Sequence, residues 1–266
     1  MTNMIDPATY LQHCFGLGNK TAVVIGGNGT LGSAIARALA HAGAHVIVVG
    51  RDATRCRQVE LSIIEAGGSA ESAMADVASK TDLEAIAAKL EEAGRYPDIV
   101  VNGAGTNSPT PFLEISDEEW DRIFRINLTG IRVSCQVFAA RLLGAQRPGS
   151  IINIASLSAI TPLSRVFTYS ASKAAVLNLT QNLAREWAPQ GIRVNALSPG
   201  FFPAEQNRKV LTPDRVANIM RHTPMGRFGE PQELAGAVLL LAAPVAGSFI
   251  TGHNLVVDGG FTAMTI

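Results

Sequence analysis

Residues 25–32 read IGGNGTLG and place four glycines in eight positions: Gly26, Gly27, Gly29 and Gly32. Three registers compete for this stretch. Gly27, Gly29 and Gly32 make G-x-G-x-x-G, the general dinucleotide fingerprint. Gly26, Gly29 and Gly32 make G-x-x-G-x-x-G. A G-x-x-x-G-x-G reading finds Thr30 where a glycine is due. The flanks decide the fold before the register is settled. Upstream, KTAVVI (20–25) is a continuous apolar run, as a strand buried on both faces requires. Downstream, Leu31, Ile35 and Leu39 recur at helical spacing, and Gly43 is a C-terminal stop. A glycine turn between strand and helix lets the backbone approach a pyrophosphate, whose charge then faces a helix N-terminus. The competing reading is a glycine-rich turn that holds no ligand.

Working outward, the pattern repeats. HVIVV (45–49) is a second strand, and a helix near 53–66 ends at Gly67 and Gly68. AESAMAD (70–76) is a weak third strand, followed by a helix over 81–94. DIVVN (98–102), SIINI (150–154), IRVNAL (192–197) and NLVV (254–257) complete seven strands. Ser116 and Glu119 make a capping box that opens a long helix through about Leu143. Residues 167–188 are also helical. Residues 1–18 read as a loose N-terminal extension, and residues 200–230 as a substrate loop region. Strands alternating with helices predict one α/β domain over 1–266: a doubly wound Rossmann domain, with a mostly parallel seven-stranded sheet and helices on both faces.

The totals fit one such domain. The chain has 266 residues, 47% of them apolar, with 22 Lys plus Arg against 22 Asp plus Glu. A neutral balance gives no sign of a nucleic-acid or membrane-surface partner. Cys14, Cys56 and Cys135 are widely spaced and odd in number, which fits neither a metal motif nor a disulfide framework and points to a cytoplasmic protein. No metal site is expected. The N-terminus lacks a signal-peptide pattern. The uncharged stretch over residues 234–252 is broken by Pro244, Gly247 and Gly252, so a short helix, a loop and a strand approach are expected there rather than a membrane span.

Two features speak of chemistry. At the end of the second strand, VVGRD puts Gly50 in the slot where an acidic residue ordinarily meets the adenosine ribose, with Arg51 next. Glycine leaves room and arginine attracts a 2′-phosphate, so NADP(H) is expected over NAD(H). The alternative is a solvated Arg51 beside an Asp52 helix cap. The second feature is YSASK, with Tyr169 and Lys173 on one helical face. A phenol titrates near pH 10, and a nearby ammonium favours the phenolate. Ser156, after SIINIA, stands at the carboxyl end of a parallel strand, where α/β ligands bind.

With these motifs the sequence resembles the short-chain dehydrogenase/reductase family, in its single-domain branch, from about Phe15 to Ala263. The glycine turn, Asp76-Val77, NGAG (102–105), Asn127 in RINLTG, Ser156, YSASK, NALSPG (195–200) and TGHNLVVDGG (251–260) fall in the family's order. The resemblance implies roles. Tyr169 would protonate the substrate oxygen as hydride arrives from the nicotinamide. Ser156 would orient that oxygen. Lys173 would lower the tyrosine's pKa and bind the nicotinamide ribose, and Asn127 would hold a water of the proton relay. Gly26, Asn28, Gly29, Thr30, Leu31 and Gly32 would cradle the pyrophosphate. Asp76 and Val77 would flank the adenine. Asn102, Gly103, Ala104 and Gly105 would support the cleft, and Pro199, Gly200 and Phe202 its nicotinamide end. Two positions depart from the family. Thr30 replaces a glycine, and Ala204, after Pro203, replaces the threonine that holds the carboxamide. Gly29 is expected to supply the close approach, with Thr30 as an added donor.

PGFFPAEQNRKVL (199–211), SLSAITPLSRVFTY (156–169), TPMGRFGEP (223–231) and VDGGFTA (257–263) resemble the D-mannonate oxidoreductase, or fructuronate reductase, branch. A sugar acid is then the expected substrate, met by Ser158, Arg165, Gln206 and Arg208, with either arginine clamping the carboxylate. The alternatives are a 3-oxoacyl-carrier-protein reductase and a nucleotide-sensing binding protein without catalysis. Ala139, Ala140, Ala171, Ala174 and Ala175 would allow close helix packing in a homotetramer or dimer, or would face their own sheet.

Overall fold

The computed structural model describes residues 6–202 and 212–264. Its seven strands are β1 (Thr21–Ile25), β2 (His45–Gly50), β3 (Ser69–Met74), β4 (Ile99–Asn102), β5 (Gly149–Ile154), β6 (Ile192–Pro199) and β7 (Asn254–Val257). All pair in parallel, in the order β3-β2-β1-β4-β5-β6-β7. The sheet grows one way from β1 and then the other, so a crevice opens between the carboxyl ends of β1 and β4. It is a single Rossmann-like domain.

Alternate residues of each central strand feed opposite faces. Val23, Ile25 and Val100 join α4 (Lys80–Glu92), α6 (Gly130–Gly144) and α7 (Phe167–Trp187) through Leu83, Phe138, Leu142 and Val176. Ala22, Val24 and Val101 join α2 (Thr30–His41), α3 (Ala53–Glu65) and α9 (Ala235–Ala242) through Ile35, Leu39, Ile63 and Leu241. Two covered faces explain why these strands read as unbroken apolar runs. The weak signal of β3 has the opposite cause: it is an edge strand, and of its six residues Ala70 alone is buried.

Three expectations need correction. The N-terminal segment is not loose throughout, since residues 7–15 form helix α1. Asp6 caps it, accepting from the Thr9 amide at 3.0 Å, and Pro7 sits in the first turn where its missing N–H costs nothing. The capping box at Ser116 is half made. Its hydroxyl accepts from the Glu119 amide, but the Glu119 carboxylate turns away to take the Thr110 hydroxyl at 2.7 Å. Finally, the long helix is not uniform. α5 (Asp117–Phe124) passes into α6 through one π turn over Arg125–Thr129. Such turns widen a helix locally and often mark functional positions. Residues 234–252 fold as the short α9, a turn and the approach to β7, and among the described residues no helix is long and apolar enough to cross a membrane.

Candidate active site

The glycine turn joins β1 to α2 at the crevice. Gly26 has φ 79°, and a Cβ there would lie 2.7 Å from the Ala104 amide. The Gly103 amide in turn donates to the Ile25 carbonyl at 2.8 Å, which locks residues 103–105 against the turn. A Cβ on Gly32 would lie 2.1 Å from the Gly26 carbonyl oxygen, so the helix packs onto the turn only with glycine there. Gly29 differs: its φ is −84°, and a Cβ would meet just the Gly26 oxygen, at 3.4 Å. Nothing within the protein demands glycine at 29. The N-terminus of α2 has no side-chain cap, so its first N–H groups, on Thr30, Leu31 and Gly32, face outward as an anion site needs.

Gly50 ends β2 beneath a neighbour. A Cβ there would fall 2.4 Å from Asn28 Oδ1, so the Asn28 amide already occupies the place where an acidic side chain would project. Arg51 is exposed beside it, and Asp52 caps α3, accepting from the Arg55 amide at 3.0 Å. Asp76 accepts from the Ala78 amide at 2.9 Å and from Arg125 Nη2 at 3.1 Å. Val77 is buried against Gly130. The Asn102 side chain lies under the crevice floor rather than in it. Its Nδ2 donates to Asn153 Oδ1 at 2.8 Å, bracing β4 to β5.

Farther along the crevice, β5 ends at Ile154 and delivers Ser156, while the first turns of α7 present Tyr169 and Lys173. The Ser156 hydroxyl lies close enough to the Tyr169 side chain to favour its charged form. Lys173 is 3% exposed; its Nζ sits 5.7 Å from the Tyr169 ring centre and donates to the Ile154 carbonyl at 2.6 Å. Burial holds the lysine down to about 8. Burial also pushes the Tyr169 phenol up, against the opposing pull of Ser156. The lysine's expected lowering of the tyrosine is therefore outweighed in the free protein, because the ammonium is turned toward the β5 carbonyl and is itself desolvated. Tyr169 is held in its proton-bearing form.

Asn127 lies in the π turn, fully buried. Its Nδ2 donates to the Thr106 carbonyl and to Ser172 Oγ, both at 3.0 Å, and its Oδ1 accepts from the Thr106 amide at 2.8 Å. Both amide protons are thus spent, and one lone pair of Oδ1 remains. Ser172 donates onward to the Tyr169 carbonyl at 2.7 Å. A Cβ on Gly105 would fall between Asn127 Oδ1 and Lys173 Nζ, at 3.5 and 3.7 Å. That glycine keeps open a space between the two polar groups.

A family model described as enoyl-(acyl carrier protein) reductase matches residues 27–262. The chain belongs to the short-chain dehydrogenase/reductase family. It is an NAD(P)-dependent oxidoreductase of CH–OH groups. A Bacillus subtilis relative, named uncharacterized oxidoreductase UxuB, is 38% identical over 270 residues, covering 93% of this chain and 96% of its own. The structure of a gluconate 5-dehydrogenase from Burkholderia cenocepacia, in complex with NADP and tartrate, superposes with a TM-score of 0.91. It is 32% identical and covers 96% of this chain and 99% of its own. A candidate D-mannonate oxidoreductase from Haemophilus influenzae, with bound NAD, has a TM-score of 0.88 at 34% identity, covering 94% and 97%.

The other residues expected in the oxidoreductase's site fall variously. Ser158 is buried against Ser156. Arg165 is exposed in the loop before α7, with φ 58°. Pro199 pairs with Val257 in the sheet, and a Cβ on Gly200 would strike Asp258 at 2.6 Å. Phe202 is a core side chain packed on Gly229, and with Phe201, Thr223, Met225 and Arg227 it lines a cavity of about 410 Å³ at the ends of β6 and β7. Pro203, Ala204, Gln206 and Arg208 lie outside the described residues. Of the alanines, Ala139 faces its own core, while Ala140, Ala171 and Ala174 are exposed and Ala175 is half-buried. Sequence reasoning missed Thr106 and Ser172, which hold Asn127. Ser172 lies within the quoted YSASK and passed as helix filler.

Proposed function

We propose that the enzyme interconverts a keto group and a secondary alcohol on a sugar acid of the fructuronate and mannonate type, with NADP(H) favoured over NAD(H). One observation carries the chemistry. Neighbouring Ser156 and Tyr169 stand at the carboxyl end of the sheet beside a buried Lys173, in the same crevice as a glycine turn fit for a pyrophosphate.

Gly26, Gly29, Thr30, Leu31 and Gly32, on the turn and the α2 N-terminus, would hold the dinucleotide's pyrophosphate. Asp76 and Val77 would flank the adenine, and Lys173 would meet the nicotinamide ribose. When bound, the nicotinamide supplies or accepts the hydride. The chain's own residues manage the proton. Ser156 orients the substrate oxygen. Tyr169, kept neutral by burial, gives that oxygen its proton as the alcohol forms and takes it back in the reverse direction. Lys173 sets the tyrosine's charge balance. Asn127 Oδ1 and the open space at Gly105 would pass a replacement proton in toward Tyr169 during reduction and let it out during oxidation.

Two considerations support the finer reading. Asn28 over Gly50 leaves no place for a ribose-binding carboxylate, and Arg51 stands free to meet a 2′-phosphate. The Burkholderia neighbour was solved with NADP and the Haemophilus neighbour with NAD, so both cofactors belong in the assay. Several relatives are named for sugar acids or polyols, beside one named as a 3β-hydroxysteroid dehydrogenase, and Arg165 and Arg208 would supply the cationic donors a carboxylate needs. The exposed Ala140, Ala171 and Ala174 suit a helix-to-helix contact in a homo-oligomer. The test is the consumption of NADPH and of NADH with a panel of keto-sugar acids, neutral keto-sugars and 3-oxoacyl thioesters. Highest efficiency on a keto-sugar acid with NADPH is expected. Preference for the thioester would instead select the carrier-protein reductase, and no turnover on any ketone a binding protein.

A further inference from the structure

Ser156 does not stand alone. Its Oγ accepts two hydrogen bonds from Ser158, one from the backbone amide and one from the hydroxyl, each at 3.1 Å. Ser156 is 9% and Ser158 5% exposed, so water competes little for either group. A serine hydroxyl has two lone pairs and one proton. With both lone pairs filled by Ser158, the Ser156 proton is the group's one remaining bonding element. It is left to point away from Ser158, and the nearby Tyr169 hydroxyl and the substrate oxygen are the acceptors proposed for it.

We propose that Ser158 is a positioning residue that fixes Ser156 as a donor. The inference rests on the proposed role of Ser156 and replaces the expectation that Ser158 meets the substrate. Its hydroxyl proton is committed to Ser156, so it has none to offer a polyol. A free Ser156 would sample orientations in which it accepts from Tyr169, and there it would compete with the substrate oxygen for the very proton that the reaction transfers. Ser158 removes those orientations, and donation into Oγ also strengthens the hydrogen bond that the Ser156 O–H donates, by polarising it. The short helical turn over Leu157–Ala159 folds the chain back so that residue 158 meets residue 156.

The experiment measures kcat, KM and the NADPH dissociation constant for Ser158→Ala, Ser158→Cys and Ser158→Thr, each alone and in a Ser156→Ala background. The substrate is whichever ketone the wild-type enzyme reduces best, so that a failed sugar-acid assignment shows in the wild type alone and leaves the ratios readable. Removing one neutral hydrogen bond should lower kcat about fivefold in Ser158→Ala and Ser158→Cys. KM and NADPH binding should stay within about twofold, and Ser158→Thr should restore kcat. For alcohol oxidation the alkaline rise, which follows loss of the Tyr169 proton, should move to higher pH in Ser158→Ala. In the Ser156→Ala background the Ser158 changes should cost nothing more. A raised KM with unchanged kcat, a further loss in that background, or no rescue by threonine would each overturn the inference.

Discussion

Replacing Lys173 should stabilise the folded enzyme, because burial disfavours its charge. Burial brings its ammonium from an ordinary 10.5 down to about 8. At about 1.4 kcal/mol per pH unit, holding that charge costs the folded state roughly 3 kcal/mol near neutrality. Methionine fills nearly the same space without the charge. The lysine's bond to the Ile154 carbonyl is then lost, which returns about 1 kcal/mol. Lys173→Met should therefore gain about 2 kcal/mol at pH 7, or about 4–8 °C in Tm for a domain of this size, while losing activity. The sign of the pH dependence is fixed. Below about 8 both folded and unfolded lysine are charged and the penalty is complete. Between about 8 and 10.5 the unfolded chain keeps a proton that the folded chain has shed, so wild-type stability rises relative to the variant. Above 10.5 the penalty has vanished. Urea unfolding of both proteins, at one fixed concentration and from pH 7 to 11, reads the difference. A gap that narrows across that window is expected; a variant less stable at pH 7 with a gap indifferent to pH would refute the reasoning.

Other consequences can be checked as directly. Gly32→Ala forces a Cβ to within 2.1 Å of a backbone oxygen and should cost about 2–3 kcal/mol in thermal unfolding. Gly29→Ala should stay within about 0.5 kcal/mol of wild type yet weaken NADPH binding about tenfold in a fluorescence titration. Gly50→Asp must displace Asn28, and its carboxylate would repel a 2′-phosphate; the NADPH-to-NADH ratio of kcat/KM should fall at least about tenfold. Replacing Arg165 and Arg208 together by alanine should raise KM for an acidic substrate about 10- to 100-fold and leave that of a neutral keto-sugar near wild type.

The sequence made much of this legible because the central sheet is buried on both faces. Apolar runs such as KTAVVI and SIINI have few other homes, and a glycine turn between strand and helix orders the chain around it. What stayed hidden depends on side-chain geometry across distant segments. The competing glycine registers do not separate even when each site is asked what a Cβ would strike: Gly26, Gly27 and Gly32 would each meet backbone within 3 Å, whereas Gly29 would not. Asn127 reads as one polar residue in a helix, yet its grip on Thr106, 21 positions away, and the π turn that presents it are products of tertiary packing. Glu119 reads as a capping partner, but Thr110 offered a better hydrogen bond. α1 was announced by Asp6 and Pro7, a cap and a helix-opening proline that weigh little in a stretch without apolar periodicity. The tyrosine's protonation state is equally out of reach of spacing, because burial and the direction of Lys173 decide it.

The central claim is that Tyr169 gives the substrate its proton while taking no part in holding the fold or the dinucleotide pyrophosphate. Tyr169→Phe removes one oxygen and little else. The decisive measurement is ketone reduction by this variant, followed by the loss of NADPH absorbance, with NADPH affinity determined on the same sample. Turnover lower by about a thousandfold or more, with affinity within about twofold of wild type, is expected. Turnover close to wild type at unchanged affinity would contradict the account.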